Sequence, residues 1–425
     1  MVVLIFVGLI LLAHYYLWYR LVRSTTGPGR LRKALTWSLV GLVVLVVATF
    51  VSTRAELGHW LAWPGYLWLA LMFYLLVFLA VLEIPRAVAA VFLRRVERRR
   101  SPEAEPEPEP VAVLAGASVQ AEEGAGVGDA EEGQAGVERA GPVKTEVAPM
   151  SRRLFLGRTT AAVAGVSAMG AVGFGVTTAL GDPVIERVDV RLPKLDQRLA
   201  GLRFAVVSDI HLGPLTGKAH TERIVRMING LEADVVAIVG DLVDGSVAQL
   251  GPLAEPLKNL ESRYGAYFVT GNHEYFAPGG FAEWIEELGQ LGVRSLRNER
   301  VEIKHQGAVL DLAGVNDLNG ASAGDGPDFD KALGGRDTSR STVLLAHQPV
   351  LVDQAARHGV DLQLSGHTHG GQMMPFNLVV GLQQPVVSGL ATVGGVQVYV
   401  TRGAGFWGPP VRVGAPPEIT MLELT

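Results

Sequence analysis

The residues with most capacity for chemistry gather late in the chain, in Ser365-Gly366-His367-Thr368-His369-Gly370-Gly371-Gln372. Two histidines one residue apart diverge on a strand but converge in a tight turn. Gly366, Gly370 and Gly371 leave room there for unusual backbone angles and for close approach of an ion or anion. Four upstream segments carry the same donor types: Asp209-Ile210-His211, Gly240-Asp241-Leu242-Val243-Asp244, Gly271-Asn272-His273-Glu274, and His347. Asp209, His211, Asp241, Asn272, His347, His367 and His369 are seven oxygen or nitrogen donors. If one carboxylate bridges, they supply eight bonds to two divalent ions. Mn, Fe and Zn accept such mixed imidazole and carboxylate shells. Two ions about 3.5–4 Å apart acidify a bridging water and clamp the oxygens of an in-line phosphoryl displacement. A neutral Asn272 keeps the site more positive than a third carboxylate would, which favours an anionic phosphate. The chain has no cysteine, so disulfides and thiolate metal sites are excluded.

Each donor follows an apolar strand pattern at once. Residues 203–207 end in Ser208-Asp209, 235–239 in Gly240-Asp241, 266–269 in Thr270-Gly271-Asn272-His273, 342–346 in His347, and 362–364 in the Gly366-His367 turn. In α/β proteins ligands gather at the carboxyl ends of strands, so donors scattered in sequence can meet at one sheet edge. Residues 184–192, 395–401 and 418–424 read as further strands. Residues 221–231 and 281–291 have helical spacing, and 301–305 with 308–312 flank Gln306-Gly307 as a hairpin.

The ordered set Asp-x-His, Gly-Asp-x-x-Asp, Gly-Asn-His-Glu, His and Gly-His-x-His resembles the calcineurin-like metallophosphoesterase family over about residues 184–425, and its exported or membrane-anchored bacterial branch in particular. The resemblance implies an α/β (α+β type) sandwich of two mixed β-sheets flanked by helices. It implies that Asp209, His211 and His369 bind one metal, that Asn272, His347 and His367 bind the other, and that Asp241 bridges them. His273 is then the catalytic residue, not a ligand, that faces the phosphate and stabilises charge or protonates the leaving oxygen; imidazole suits this because it titrates near neutrality. Asp244 orients a ligand or shapes a turn. Gly370 and Gly371 shape the phosphate pocket or only the turn, and Arg402 binds a substrate anion or forms an ion pair. Glu274 reads as structural. Phe406-Trp407 lines a lipid-facing groove or packs locally. His14, His59, His220, His305 and His358 read as ordinary core or surface residues.

The amino-terminal half is different in character. Residues 2–21, 35–51 and 64–82 are apolar runs of membrane-spanning type, which makes residues 1–100 a membrane region with three expected transmembrane helices. The first connection holds Arg20, Arg23, Arg30, Arg32 and Lys33, the second only Arg54 beside Glu56, and residues 94–100 hold five arginines. Basic flanks stay in the cytoplasm, so the amino terminus is expected outside. Residues 101–150 carry eleven acidic and two basic side chains within a net charge of −5 for the whole chain. This Pro/Glu/Ala/Gly-rich stretch reads as a disordered linker. Ser151-Arg152-Arg153-Leu154-Phe155-Leu156-Gly157 resembles the twin-arginine export motif, although it lies mid-chain and has Gly157 where Lys is usual. It opens a fourth apolar segment, completing residues 151–181. Export machinery is then an expected partner and a retained anchor the expected outcome.

Residues 182–425 are thus expected to be an extracytoplasmic catalytic domain on a multi-pass membrane protein. The expected activity is hydrolysis of phosphodiester, pyrophosphate or phosphomonoester bonds by metal-bound hydroxide, on envelope or lipid-linked phosphates. The alternatives are a phosphatase of soluble substrates and a membrane-anchored scaffold or sensor with structural metals. No basic run beside aromatic residues occurs in the carboxyl-terminal half, so nucleic acid is not an expected partner.

Overall fold

Along the strand Arg203–Val207, Phe204 and Val206 join one apolar cluster while Ala205 and Val207 join another, and all four are buried. Side chains alternate across a strand, so a strand apolar on both faces needs a layer on each side. The computed structural model, which describes residues 2–57, 60–100 and 152–425, supplies those layers. Its strands are β1 Val184–Val190, β2 Arg203–Val207, β3 Val235–Val239, β4 Ala266–Val269, β5 Val293–Ser295, β6 Glu299–His305, β7 Ala308–Gly314, β8 Thr342–Leu345, β9 Leu362–Ser365, β10 Gly389–Val393, β11 Val396–Val400 and β12 Glu418–Leu424. They form two six-stranded sheets, in the orders β1-β12-β2-β3-β4-β5 and β10-β11-β9-β8-β7-β6. Both sheets are mixed. β2 to β5 run parallel while β12 lies antiparallel to β2, and β7, β8, β9 and β11 run parallel with antiparallel neighbours at both edges.

The sheets meet through Phe204, Val206, Val239 and Val269 on one side and Leu312, Val343, Leu345 and Leu364 on the other. The N-terminal helices are α1 Val2–Leu17, α2 Arg30–Arg54, α3 Ala62–Arg100 and α4 Arg152–Leu180, followed within the sandwich by α5 Lys218–Asn229, α6 Val247–Ala254, α7 Asn272–Phe276 and α8 Phe281–Gln290. α5, α6 and α8 cover the outer face of the first sheet with Ile224, Ile228, Leu250, Trp284 and Leu288. Trp284 is fully buried and its Nε1 donates to the Gly245 carbonyl at 2.8 Å; Trp284→Ala at such a position costs about 3–5 kcal/mol. α9 Phe329–Leu333 and α10 Val352–Arg357 cover the outer face of the second sheet, and α11 Asn377–Val380 follows the site turn. The expected strands are in place, and the hairpin expected at 301–305 and 308–312 is formed by the longer β6 and β7; β5 and β10 are additions.

Among the described residues, three helices are long and apolar enough to cross a membrane: α2, the Ala62–Pro85 part of α3, and the Leu154–Leu180 part of α4. The expected second, third and fourth spans fall inside them. The expected first run is helical in two pieces, beginning with α1, of 16 residues. It continues as a π-helix over Trp18–Arg23. There the buried Arg20 pairs with Glu83 of α3 at 2.6 Å, so a polar tie replaces apolar contact at the end of the run. The expected linker at 101–150, Ser151 of the twin-arginine-like motif, and His59 lie outside the described residues.

The helix bundle and the sandwich touch at defined points. Val411, Met373 and Val413 pack with the bundle's apolar cluster. The Arg412 amide donates to the Gly175 carbonyl of α4 at 2.9 Å. Glu56, in the α2–α3 connection, accepts from the Ser246 amide at 2.9 Å and its hydroxyl at 3.1 Å. α2 and α3 approach closely where Gly65 meets Thr49; a Cβ on Gly65 would lie 1.8 Å from Thr49 Oγ1, the small-residue contact common between membrane helices.

Candidate metal centre

The loops after β2, β3, β4, β8 and β9 carry the seven expected donors. Their backbone is strained. Ten described non-glycine residues have positive φ, and five of them are Asp209, His211, Asp241, His367 and His369. Each such residue costs on the order of 1–3 kcal/mol, and strain of this kind clusters at functional sites. Hydrogen bonds hold it in place. Asp209 Oδ2 and Oδ1 accept from the His367 amide at 3.0 and 3.2 Å, and Asp241 Oδ1 accepts from the His273 amide at 2.8 Å. Glu274, fully buried, accepts from the amides of Gly271, Leu242 and Asp241 at 2.6, 2.8 and 3.1 Å. It therefore ties two donor loops together, the structural role expected of it. Gly366 is required by close approach, since a Cβ would lie 2.0 Å from Ser208 Oγ and 2.4 Å from Asp209 Oδ2.

The donors converge in two groups. Asp209, His211 and His369 bring one ligand atom each within 4.8 Å of one another, and Asp241, His347 and His367 do the same. In the first, His369 Nε2 lies 3.3 Å from Asp209 Oδ1 and 3.1 Å from His211 Nε2. In the second, His347 Nε2 lies 3.2 Å from Asp241 Oδ2. The same Asp241 oxygen is 4.0 Å from His211 Nε2, so it stands between the groups. His347 Nδ1 donates to the Val239 carbonyl at 2.7 Å, which turns Nε2 inward. That Nε2 and the Asn272 Oδ1 are buried with no hydrogen-bond partner; the approach of His347 to Asp241 is close but lacks hydrogen-bond alignment. Orphaned inward lone pairs beside two carboxylates fit divalent cations.

Burial opposes charge on both Asp241 and His347. Without a cation between them each nevertheless supports the other's charge, so the carboxyl lies well below its ordinary value and the imidazole well above; a divalent cation would take the place of that proton on His347 Nε2. Burial, then His347, lowers His367 to about 4, and burial, then His211 and Arg412, takes His369 well below its usual range. Both rings are neutral at neutral pH, as metal-ligating imidazoles must be.

A third convergence has another meaning. Asp244 Oδ1 lies 2.8 Å from His211 Nδ1 and 2.6 Å from His273 Nδ1. One carboxylate oxygen thus receives both Nδ1–H groups and turns both Nε2 atoms toward the site, the orienting arrangement carboxylates give to ligand histidines. Burial would lower His273, but Asp241 and Asp244 outweigh it and raise the imidazole to about 9. His273 borders a cavity of about 340 Å³ that His211, Asp244, Phe406 and Trp407 also line.

The remaining expected residues lie elsewhere. Gly370 and Gly371 have φ of 61° and 83° and build the turn after His369 without lining this cavity. Arg402 pairs with Glu186 at 2.5 Å and Glu418 at 2.6 Å, also outside the cavity. His14, His220, His305 and His358 have local partners.

Sequence reasoning missed Arg412. It is fully buried, donating to the carbonyls of Gly405 at 2.7 Å, Arg402 at 2.9 Å and Ala415 at 3.0 Å, with Nη2 3.1 Å from His369 Nδ1. The available signal was a lone arginine between Val411 and Val413 after two prolines.

A family model for calcineurin-like phosphoesterases matches residues 202–371, which include all seven donors. A zebrafish (Danio rerio) transmembrane protein with metallophosphoesterase domain is 40% identical over 260 residues, 59% of this chain and 59% of that protein. An uncharacterized metallophosphoesterase of Helicobacter pylori is 41% identical over 253 residues, 59% of this chain and 66% of its own. The chain thus spans about three-fifths of the length of these relatives. An uncharacterized metallophosphoesterase of Aquifex aeolicus is 32% identical over 244 residues, 56% of this chain and 91% of that protein. With that coverage added to the two-sheet sandwich and its converging donors, the chain belongs to the calcineurin-like phosphoesterase family.

Proposed function

We propose that this chain is a membrane-tethered phosphoesterase with a dinuclear metal site, acting on phosphodiester, pyrophosphate or phosphomonoester bonds of envelope or lipid-linked substrates. The observation that carries the reading is the pair of donor groups sharing Asp241, with His347 Nε2 and Asn272 Oδ1 left unpartnered inside them. Asp209, His211 and His369 would hold one divalent cation and Asn272, His347 and His367 the other, with Asp241 between. Such cations, when bound, supply an acidified water and neutralise phosphoryl charge.

The chain's own residues do the rest. Asp244 accepts the Nδ1–H of His273 and turns Nε2 toward the cavity, where the imidazolium carries its second proton. A proton held as high as about pH 9 is present at neutral pH and available to the leaving oxygen. Glu274 and the Val239 carbonyl hold the ligand loops in register before substrate arrives.

An extracytoplasmic catalytic domain is part of this proposal. Arg158, near the amino end of α4, donates to the Thr25 carbonyl at 3.1 Å, in the basic first connection. The sandwich follows the carboxyl end of α4 and binds the α2–α3 connection through Glu56. Basic connections face the cytoplasm, so the sandwich faces away; an inactive alkaline phosphatase fusion at Thr425 would contradict this. The activity is tested with the purified full chain on a panel of phosphate esters. Asp241→Asn is expected to lower turnover on the order of 10³-fold, and a wild-type chain inert on every ester with divalent metal supplied would refute the reading.

A further inference from the structure

The cavity beside His273 and Asp244 has a second wall that the sandwich does not supply. Phe50 and Arg54 of α2 and Tyr66 of α3 line it opposite Trp407. Phe50 and Tyr66 pack edge to face with ring centroids 6.0 Å apart. The hairpin is pinned in this position, because Glu56 grips Ser246 two residues beyond Asp244. Arg54 is exposed, and no described carboxylate pairs with it. Behind this wall the helices present apolar surface: Val44, Val47 and Val51 of α2 are 61%, 44% and 59% exposed. The cavity therefore joins three environments, namely the His211 edge of the donor cluster beside His273 and Asp244, a cation with no described carboxylate partner, and apolar helix faces of membrane-spanning length.

We infer that the α2–α3 hairpin forms part of the substrate pocket, and that Arg54 selects a lipid-linked diphosphate. One phosphoryl group sits at the His/Asp donors, the second on the Arg54 guanidinium, and the tail lies along α2 and α3. A guanidinium reads phosphate oxygens through directed N–H bonds, and a small soluble monoester has nothing to place there. Hydrolysis adds one water across the P–O–P bridge. The attacked phosphorus gains the water oxygen, the bridging oxygen leaves with the His273 proton, and each product keeps one phosphate. Chemically, the substrate must come from a reaction that attaches a diphosphate to a lipid alcohol or transfers a phosphorylated group onto a lipid phosphate.

This inference rests on the phosphoesterase reading above. The test uses the full chain in detergent micelles with farnesyl diphosphate and with p-nitrophenyl phosphate. Arg54→Ala is expected to lower kcat/KM for farnesyl diphosphate about tenfold or more relative to that for p-nitrophenyl phosphate, mainly through KM, and Arg54→Lys is expected to recover much of the loss. Equal losses on both substrates, or none on either, with an active wild type would overturn the inference alone. A wild type inactive on both would remove the phosphoesterase reading together with it.

Discussion

The two halves of the centre are supported differently. Asp241, His347 and Asn272 are held from within the sandwich, by the Val239 carbonyl at the end of β3 and by Glu274 across two loops. The half formed by Asp209, His211 and His369 is held from the membrane side as well. The His369 carbonyl accepts from Arg412 Nη1 at 3.3 Å, and the Arg412 amide donates to Gly175 of α4. His211 Nδ1 meets Asp244, in the loop that Glu56 of the α2–α3 connection pins at Ser246. One donor group is thus a product of the sheet core, while the other also touches the amino-terminal helices. A tether that only anchored the enzyme would not need contacts one residue removed from a ligand.

The largest effect should come where the halves meet the substrate. His273→Asn is expected to lower kcat by roughly 10²–10⁴-fold. In the proposed role His273 must carry a proton to act, so activity is expected to be lost as pH rises through its pKa. Asp241 and Asp244 raise that value to about 9 in the absence of cations, and bound cations bring it down. A kcat/KM profile should therefore show an alkaline limb below pH 9 that disappears in His273→Asn. An unchanged limb would assign it to another group.

Arg412→Met separates the halves. Loss of an outer support for a ligand lowers metal affinity by roughly 10–100-fold, here at one cation of the two. Titration with a chelator should show one ion lost early and one retained; simultaneous loss would contradict the asymmetry. Burial lowers Arg412 to about 10, so it stays charged through neutral pH. Glu56→Gln is the mildest break. It keeps one acceptor for Ser246 and should cost only a few-fold in kcat/KM, about 1 kcal/mol or less, with the retained ion unaffected.

The sandwich side of this contrast was legible in the sequence because its logic is local. An apolar strand ending in Asp, Asn or His is visible at 203–211, 235–241, 266–273, 342–347 and 362–369 without knowing how the strands pair. The placement of β12 between β1 and β2 was not legible, nor were the short strands β5 and β10, since pairing order is set by long-range packing. The membrane side was legible only as apolar length. That Glu56 would reach Ser246, or Arg54 enter the cavity of His273, depends on contacts across about 190 and 220 residues, and a lone Arg or Glu in a connection carries no periodic signal. Gly370 and Gly371 show the converse limit: glycine after a ligand motif serves a positive φ as readily as a pocket.

The most direct test of the whole account is the metal content of the purified full chain, with X-ray absorption on the bound ion. Two divalent ions per chain are expected, in mixed imidazole and oxygen shells, falling to one or none in Asp241→Asn because that carboxylate serves both groups. A catalytically active wild-type chain that holds a single ion, or none, would contradict it.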